Sequence, residues 1–589
     1  VGSDVAKPAK PSQIWARALG NLAALEEGRW RSFPCLVDAL AERFDAQPAL
    51  VSAGETLTYR DLAGAKNAYA HWAAAQLTAP GEAICLFMGN SASYFAIWLG
   101  VIQAGGCAAL ININLRGEAL IHSIASAGAR TIVADAALLP LLQDIRSALP
   151  SGTILWLHGE QPTAEMVPHA FYRSAYPDDK VAEAPSALIG SDATALLIFT
   201  SGTTGYPKAA RISHHRLLEW SLWFAGMMDT QKDDRLYNCL PMYHSTGGVA
   251  GIGGVLVKGG TVILEDRFSR RHFWTRIAER DCTIFLYIGE LCRYLAHAPF
   301  DENETRHRLR LCIGNGLRAD VWSTFQERFK IPAILEFYAS TEGNVALYNC
   351  EGRPGAIGRV PGFLAHRFPT ELIVCDTQTG EAMRGEDGRC IRCATGETGE
   401  AIGRIPGERR PVPGRFEGYT DTNATERKIL RDVFETGDLW FRTGDLMRQD
   451  AAGFYYFVDR MGDTFRWKGE NVSTLQVSET LCRFPGIDEA IVYGVAIDGE
   501  EGRACMAALI TTPLFDVDAL PAFAEQHLPP YARPMFLRLC KTIETTGTFK
   551  PIKARLIREG YDRSLVDDKV LVFDARLKTY VERKEAVLF

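Results

Sequence analysis

Excess positive charge is missing from this 589-residue sequence: 64 lysines and arginines stand against 71 aspartates and glutamates, a formal net charge of −7. The strong electrostatic draw of a nucleic-acid binder is therefore absent, and a local basic patch would have to supply it. Low-complexity segments and internal repeats are missing too. With 47% apolar and 23% charged residues, the composition excludes a disordered or fibrous protein. Cysteine occurs fourteen times but without a disulfide framework. That usage suits free, buried thiols in a reducing cytosol, and Cys390-Ile-Arg-Cys393 has no second CxxC to complete a metal site. The first residues, Val1-Gly2-Ser3-Asp4, show neither an initiating methionine nor a charged-then-apolar leader and read as an expression remnant.

Charge is also absent, locally, from all 33 positions between Ala83 and Leu115. A membrane-spanning helix needs about 20 predominantly apolar residues, so this run is long enough to raise the question. Its punctuation answers otherwise. Gly89-Asn90-Ser91 and Gly105-Gly106 cut it, and Asn112 and Asn114 close it, which predicts a strand (84–87), a helix (92–103) and a second strand (107–113) in a buried β-α-β unit. Upstream, Trp15, Leu19, Leu22 and Leu25 predict helix across 13–45. Downstream, apolar runs at 132–134, 154–157, 195–199, 262–264 and 284–287 alternate with amphipathic stretches, the rhythm of parallel sheets covered by helices. Between about 352 and 418 glycine and proline become frequent and helical periodicity fades, as expected for a small β-rich subdomain.

The strongest chemical signal is Leu196-Leu-Ile-Phe-Thr200-Ser201-Gly202-Thr203-Thr204-Gly205-Tyr206-Pro207-Lys208. A hydrophobic strand runs into a loop of hydroxyls and glycines that ends in a cation. Glycines let backbone N–H groups approach a polyanion, the hydroxyls add donors, and Lys208 adds a positive charge. The spacing is not that of a Walker loop. It predicts a phosphate-binding loop of another kind.

This segment resembles the phosphate-binding signature of the AMP-forming adenylate ligases: acyl-CoA synthetases, peptide-synthetase adenylation domains and luciferases. Five further segments resemble that superfamily's elements in order. They are Leu240-Pro-Met-Tyr-His244-Ser-Thr-Gly247, Phe337-Tyr338-Ala339-Ser340-Thr341-Glu342-Gly343, Arg442-Thr-Gly-Asp445, Asp459-Arg460-Met-Gly462-Asp463, and Thr546-Gly-Thr-Phe-Lys550. Within the superfamily the chain is most similar to the fatty-acid transport protein, or very-long-chain acyl-CoA synthetase, branch. That likeness rests on Asn112-Ile-Asn114-Leu-Arg116, Tyr287 to Leu295, Phe337 to Asn344, Phe465-Arg-Trp-Lys-Gly-Glu-Asn-Val-Ser-Thr474 and Val572-Phe-Asp574.

The resemblance implies an α/β fold: a large N-terminal domain (1–461) of parallel-rich sheets and helices with a β-barrel-like subdomain at about 352–460, and a small mobile α+β C-terminal domain (462–589). It implies ligation of a long- or very-long-chain fatty acid to coenzyme A through an acyl-adenylate, with ATP and Mg²⁺. Thr200, Ser201, Gly202, Thr203, Thr204, Gly205 and Lys208 would hold the triphosphate. Gly314, Asn315, Tyr338, Ala339, Ser340 and Thr341 would hold adenine and its surroundings, and Asp445 and Arg460 the ribose. Glu342 would bind Mg²⁺, His244 would stand beside the acyl group, and Lys550 would contact the substrate carboxylate and α-phosphate. Thr436-Gly-Asp438 nearly duplicates Thr443-Gly-Asp445; the ribose role goes to the second copy because it leads directly to Arg460. The hinge position, Asp or Lys in the family, is Gly462 here.

For the acyl pocket, Thr246-Gly-Gly-Val-Ala-Gly-Ile-Gly-Gly254 fits either a smooth wall for a sliding chain or small residues at a tight helix contact. No buried cation stands out to read a second carboxylate, which favours an apolar acid; a steroid or bile-acid side chain fits the same branch. A peptide-synthetase module would need a carrier domain, and only 39 residues follow Lys550. A membrane-associated fatty-acid uptake protein is the reading of a different class. The expected partners are the small-molecule substrates, with no nucleic acid; peripheral contact with the inner face of a membrane and a homodimer are compatible with a cytoplasmic enzyme of lipids.

Overall fold

The computed structural model describes residues 10–159, 170–171, 190–200, 206–376, 379–406, 415–468, 470–497, 500, 502–546 and 551–582. They form two compact units, one of residues 1–369, 403–430 and 439–441, the other of 370–402, 431–438 and 442–589.

The first unit contains two large sheets, parallel inside and antiparallel at an edge. One has seven strands in the order Ala170–Phe171, Ile154–His158, Thr131–Asp135, Ala83–Phe87, Cys107–Leu110, Thr194–Thr200, Lys208–Ser213. The other has eight, in the order Ala346–Asn349, Ile334–Ala339, Leu311–Asn315, Ile284–Ile288, Arg235–Asn238, Thr261–Leu264, Pro48–Ser52, Glu55–Thr58. Every apolar run read as a strand from the sequence is a strand here.

The uncharged run folds as its punctuation predicts, except that the second strand ends at Leu110 and not at Ile113. Strand Ala83–Phe87 pairs in parallel with Cys107–Leu110, in register Ala83↔Cys107 to Leu86↔Leu110, and the helix Ala92–Gln103 connects them. Ser91 caps that helix by accepting from the Tyr94 N–H at 3.0 Å. All twelve helical residues are buried, because the helix lies against a second helix, Tyr59–Gln76, as well as the sheet. A Cβ at Gly100 would sit 2.5 Å from the Cβ of Tyr69, so glycine is what permits the approach. Burial on every side explains the absence of charge. Among the described residues no helix is long and apolar enough to cross a membrane.

The N-terminal helix differs from expectation. It is two helices, Pro11–Glu26 and Phe33–Phe44. The break falls where Gly28 takes a positive φ of 69° and where Ser32 caps the second helix, followed by Pro34 in its first turn. Apolar spacing carries no record of such a break, since both halves keep helical periodicity.

The glycine-rich stretch 246–254 forms a π-helical turn, Thr246–Ala250, continuing into a helix, Gly251–Leu256. Here the structure chooses between the two readings left open. A Cβ at Gly248 would lie 1.9 Å from the carbonyl of Met242, at Gly253 2.0 Å from Ser221 Oγ, and at Gly254 2.5 Å from Met228 Cε. These glycines admit the neighbouring helix His214–Met227 and the preceding loop, while Thr246 and Ala250 of the same stretch line a cavity.

The second unit holds most of a five-stranded sheet of Thr370–Ile373, Thr398–Arg404, Leu439–Gln449, Ile429–Arg431 and Tyr455–Arg460; the first two lie in the stretch 352–418 whose texture predicts β structure, and the other three follow it. It also holds the hairpin Phe465–Trp467/Glu470–Val472 and a five-stranded sheet ordered Ile487–Val495, Ala504–Thr511, Phe536–Leu539, Lys569–Asp574, Thr579–Val581. Gly462 has φ +90°, a conformation in which Asp or Lys would be strained, and space around it is open. All fourteen cysteines are free, and among the described residues no group of His, Cys, Asp or Glu could hold a metal by itself.

Gly253→Ala should destabilise the protein by about 1–3 kcal/mol through overpacking against Ser221, read as a lowered denaturation midpoint. Ser221→Gly in the same chain should recover most of the loss; no recovery would refute the tight-contact account.

Candidate active site

Thr200 ends one strand and Lys208 begins the next, and the two are direct cross-strand partners in the antiparallel pair Thr194–Thr200/Lys208–Ser213. The two ends of the predicted phosphate loop are thereby fixed to each other. Ser201, Gly202, Thr203, Thr204 and Gly205 lie outside the described residues.

Tyr419, which no sequence signal singles out, links the surrounding groups. It is buried, and forms an isolated β-bridge with Ala210 just beyond Lys208. Its hydroxyl donates to Glu342 Oε1 at 2.9 Å, and the Thr200 side chain hydrogen-bonds to it. The ammonium of Lys208 stands 5.9 Å from the centroid of its ring. Burial and then the Glu342 charge push its phenol pKa far up, so the hydroxyl stays a donor. Three residues proposed for the triphosphate and its metal, 142 positions apart in chain, thus meet at one side chain. Glu342 is 9% exposed. With one oxygen engaged by Tyr419, its other oxygen suits a hard cation that completes its shell with phosphate oxygens and water, the usual habit of Mg²⁺.

The backbone at Glu342 is held from the opposite direction. Arg216, 1% exposed, donates through Nη1 to the Glu342 carbonyl at 3.3 Å and through Nη2 to the Gly343 carbonyl. Its guanidinium lies 4.6 Å from the Trp220 ring centroid. Burial lowers its pKa, while Glu417, Glu219 and Glu342 oppose that shift. A buried cation is therefore present where the sequence shows none, but it is committed to two carbonyls. Arg216 is one wall of a cavity of about 60 Å³, whose apolar lining is Trp220, Trp223, Phe224, Phe337, Tyr348 and Phe368.

The His244 loop is anchored by two asparagines of the uncharged run, Asn90 at its first break and Asn114 at its end. Asn90 donates to the Leu240 carbonyl and accepts from the Met242 N–H, both at 2.9 Å. Asn114 Nδ2 donates to the Tyr243 hydroxyl at 3.1 Å. His244 is half-buried, its ring 4.7 Å from that of Tyr243. Next to it, Ser245 Oγ and Thr341 Oγ1 are 2.9 Å apart, tying this loop to the 338–342 segment.

Gly314 and Asn315 end the strand Leu311–Asn315, adjacent to Ile334–Ala339, which carries Tyr338 and Ala339. The buried Oδ1 of Asn315 and Oγ of Ser340 have no hydrogen-bond partner among the described residues, leaving polar groups for a ligand.

In the second unit, Asp445 and Arg460 are cross-strand partners in the antiparallel pair Leu439–Gln449/Tyr455–Arg460, with Arg460 Nε 3.3 Å from Asp445 Oδ1. The duplicate, Asp438, accepts from the backbone N–H groups of Val433, Phe434 and Glu435 and so closes a turn. Asp459 accepts from the Thr474 N–H and hydroxyl, and burial raises its pKa. Lys553 donates to Thr474 Oγ1 at 2.8 Å and stands 3.6 Å from Asp463. Lys550 lies outside the described residues.

Comparison with known proteins identifies the family. The AMP-binding enzyme family matches residues 37–400, and the AMP-binding enzyme C-terminal domain matches 476–550. Long-chain fatty acid transport protein 1 of Homo sapiens is 38% identical over 562 residues, covering 94% of this chain and 86% of that protein. Long-chain fatty acid transport protein 3 of Mus musculus is 40% identical over 522 residues, covering 88% and 77%. Among solved structures, ATP-bound MatB from Rhodopseudomonas palustris has a TM-score of 0.73 at 22% identity, covering 90% of this chain and 99% of that one, and so supports the fold. The family matches and the level of identity lead to one conclusion: the chain belongs to the AMP-binding enzyme family, in the branch of the long-chain fatty acid transport proteins.

Proposed function

We propose that the protein is an AMP-forming acid–thiol ligase that activates a long- or very-long-chain fatty acid with ATP and transfers it to coenzyme A. The observation that carries this reading is the convergence of Thr200, Lys208 and Glu342 on Tyr419, which assembles hydroxyl, cation and carboxylate beside the phosphate loop. The relatives' printed names supply the substrate class, long-chain fatty acids.

In the first half-reaction a carboxylate oxygen of the acid attacks the α-phosphorus of ATP. The bond from that phosphorus to the bridging oxygen of the leaving pyrophosphate breaks, giving acyl-adenylate. In the second, the thiolate of coenzyme A attacks the acyl carbon, and AMP departs as the C–O bond breaks. No protein side chain need become covalently attached. Catalysis is positioning together with stabilisation of charge at phosphorus. Lys208 and the 200–205 hydroxyls hold the triphosphate, and Asp445, oriented by its pair with Arg460, accepts from the ribose hydroxyls. Lys550 bridges the attacking carboxylate and the α-phosphate, while His244 stands at the acyl end. Glu342 would hold Mg²⁺, which when bound neutralises phosphate charge.

The aromatic lining of the cavity suits an apolar acid, and steroid acids are a second apolar substrate class. At about 60 Å³ the cavity holds only a few water-sized groups as it stands; a long chain requires Trp220 or Phe224 to turn aside. Rotation of the carboxy-terminal segment about Gly462 between the halves would withdraw Lys550 and admit the thiol. The relatives' designation as transport proteins supports peripheral work at the cytoplasmic face of a membrane, where thioester formation traps an entering acid.

Pyrophosphate release on adding fatty acid, ATP and Mg²⁺ should fall about 10²–10³-fold in Lys550→Ala. A panel of carboxylates graded in length and including steroid acids should give AMP with the long apolar members; no AMP from any of them would sink the ligase assignment. Tyr419→Phe removes one hydrogen bond to a charged group and should raise the half-saturating Mg²⁺ for ATP binding about tenfold, while metal-free nucleotide binding is unchanged. Equal Mg²⁺ titrations for the two proteins would exclude that role.

A further inference from the structure

A relay of polar side chains runs from the hinge segment to the helix that follows Lys550. Asp459, three residues before Gly462 and 3% exposed, accepts from the Arg460 N–H at 2.9 Å and from the Thr474 N–H at 2.6 Å. The Thr474 hydroxyl donates to Asp459 Oδ2 at 3.1 Å. The same hydroxyl oxygen accepts from Lys553 Nζ at 2.8 Å, and that ammonium stands 3.6 Å from Asp463. Carboxylate, hydroxyl and ammonium therefore form one chain whose members come from both sides of Gly462. Burial raises the pKa of Asp459, and the Lys553 charge opposes that shift. Stripping the cation away would leave the buried carboxylate without its nearest opposing charge, so the chain holds as a unit.

Lys553 is the first residue of the helix Lys553–Glu559, three positions after Lys550. The segment containing Lys550 is closed at its base. Thr545 and Pro551 form an isolated antiparallel bridge, and the Ile552 N–H donates to the Glu544 carbonyl at 2.9 Å. Arg555 Nη1 also donates to Glu544 Oε1, at 2.7 Å, but both partners are about half exposed and the pair adds little. Lys553 differs, because its chain ends on buried groups: Thr474, at the start of the helix Thr474–Leu481, and Asp459 are both buried. The base of the Lys550 segment is thereby pinned to residues 79 positions away. Gly462, Asp463 and Lys553 line a cavity of about 340 Å³, so at this face the tie is polar contact beside open space and not close packing.

We propose that Lys553 is a positioning residue for Lys550: through Thr474 and Asp463 it fixes the base of the segment that presents Lys550 for acyl-adenylate formation. Lys553 needs no contact with substrate in this role. The proposal rests on the assignment of Lys550 to the first half-reaction. Thioester formation, for which Lys550 is withdrawn, does not depend on the tie.

The test measures the two half-reactions separately on the full chain, with the fatty acid that yields most AMP. One assay is acid-dependent exchange of pyrophosphate into ATP; the other is thioester formation from synthetic acyl-adenylate and coenzyme A. Lys553→Met should slow exchange about tenfold through kcat, with KM for ATP and for the acid unchanged and thioester formation within about twofold of native. Lys553→Arg keeps a cation and its donors and should exchange within about threefold of the native protein. Thr474→Val interrupts the relay, should slow exchange about fivefold, and should add little when combined with Lys553→Met. Because Lys553 acts through Lys550, Lys553→Met should cost nothing further in a Lys550→Ala chain. Should Lys553→Met fail to fold, Thr474→Val decides by the same comparisons. Native exchange in these variants, equal losses in both half-reactions, a loss in Lys553→Arg as large as in Lys553→Met, or a further loss on top of Lys550→Ala overturns the proposal. Full exchange in Lys550→Ala, or no exchange in the native protein, would instead remove the reading on which it rests.

Discussion

The buried guanidinium of Arg216 donates to two backbone carbonyls, lies on the face of Trp220 and feels the charges of Glu417, Glu219 and Glu342, and it fixes the position of the Glu342 turn. A buried charge persists only where hydrogen bonds and opposing charges surround it. Here the bonds go to residues 126 and 127 positions away, so the helix His214–Met227 and the strand end at 339–343 cannot shift independently. The same helix bears Gly226 against Ala18, Ser221 against Gly253, and Trp223 against Trp15 and Tyr348. Packing and site are therefore joined through one buried element. Its ends differ in duty: the first turn carries the charge, the rest carries the contacts.

Two kinds of small residue serve that arrangement differently. Gly100, Gly226 and Gly253 allow backbones to touch, and a Cβ at any of them would overlap a neighbour. Gly316 and Gly462 instead permit positive φ. Asparagine has a third use. Asn90 and Asn114 interrupt an otherwise apolar run because they hydrogen-bond the loop that carries His244. What reads in one dimension as punctuation is, in three, the support of the loop that carries His244.

Legibility followed the range of the forces involved. The strands and the buried β-α-β unit come from local hydrophobic pattern, which burial on both faces makes nearly continuous. The duplicate Thr-Gly-Asp could be separated only by resemblance, since both copies have turn chemistry. The structure gives the physical distinction: Asp438 is spent on three N–H groups, whereas Asp445 faces Arg460 across a ladder. Tyr419 and Arg216 were invisible because nothing near them in sequence marks a tyrosine or an arginine as buried. Their hydrogen-bond partners lie up to 219 positions away.

The sequence by itself determined the parallel-rich α/β architecture and the order of the family's motif segments, because each depends on residues adjacent or periodic along the chain. Tertiary structure alone decided that the glycines of 247–254 are a helix contact, that the N-terminal helix is broken in two, and that the aromatic cavity opens beside Arg216. Those outcomes depend on which surfaces come within van der Waals distance. Close packing is a property of pairs of elements, and a linear pattern states what each element can bury without stating what it will meet.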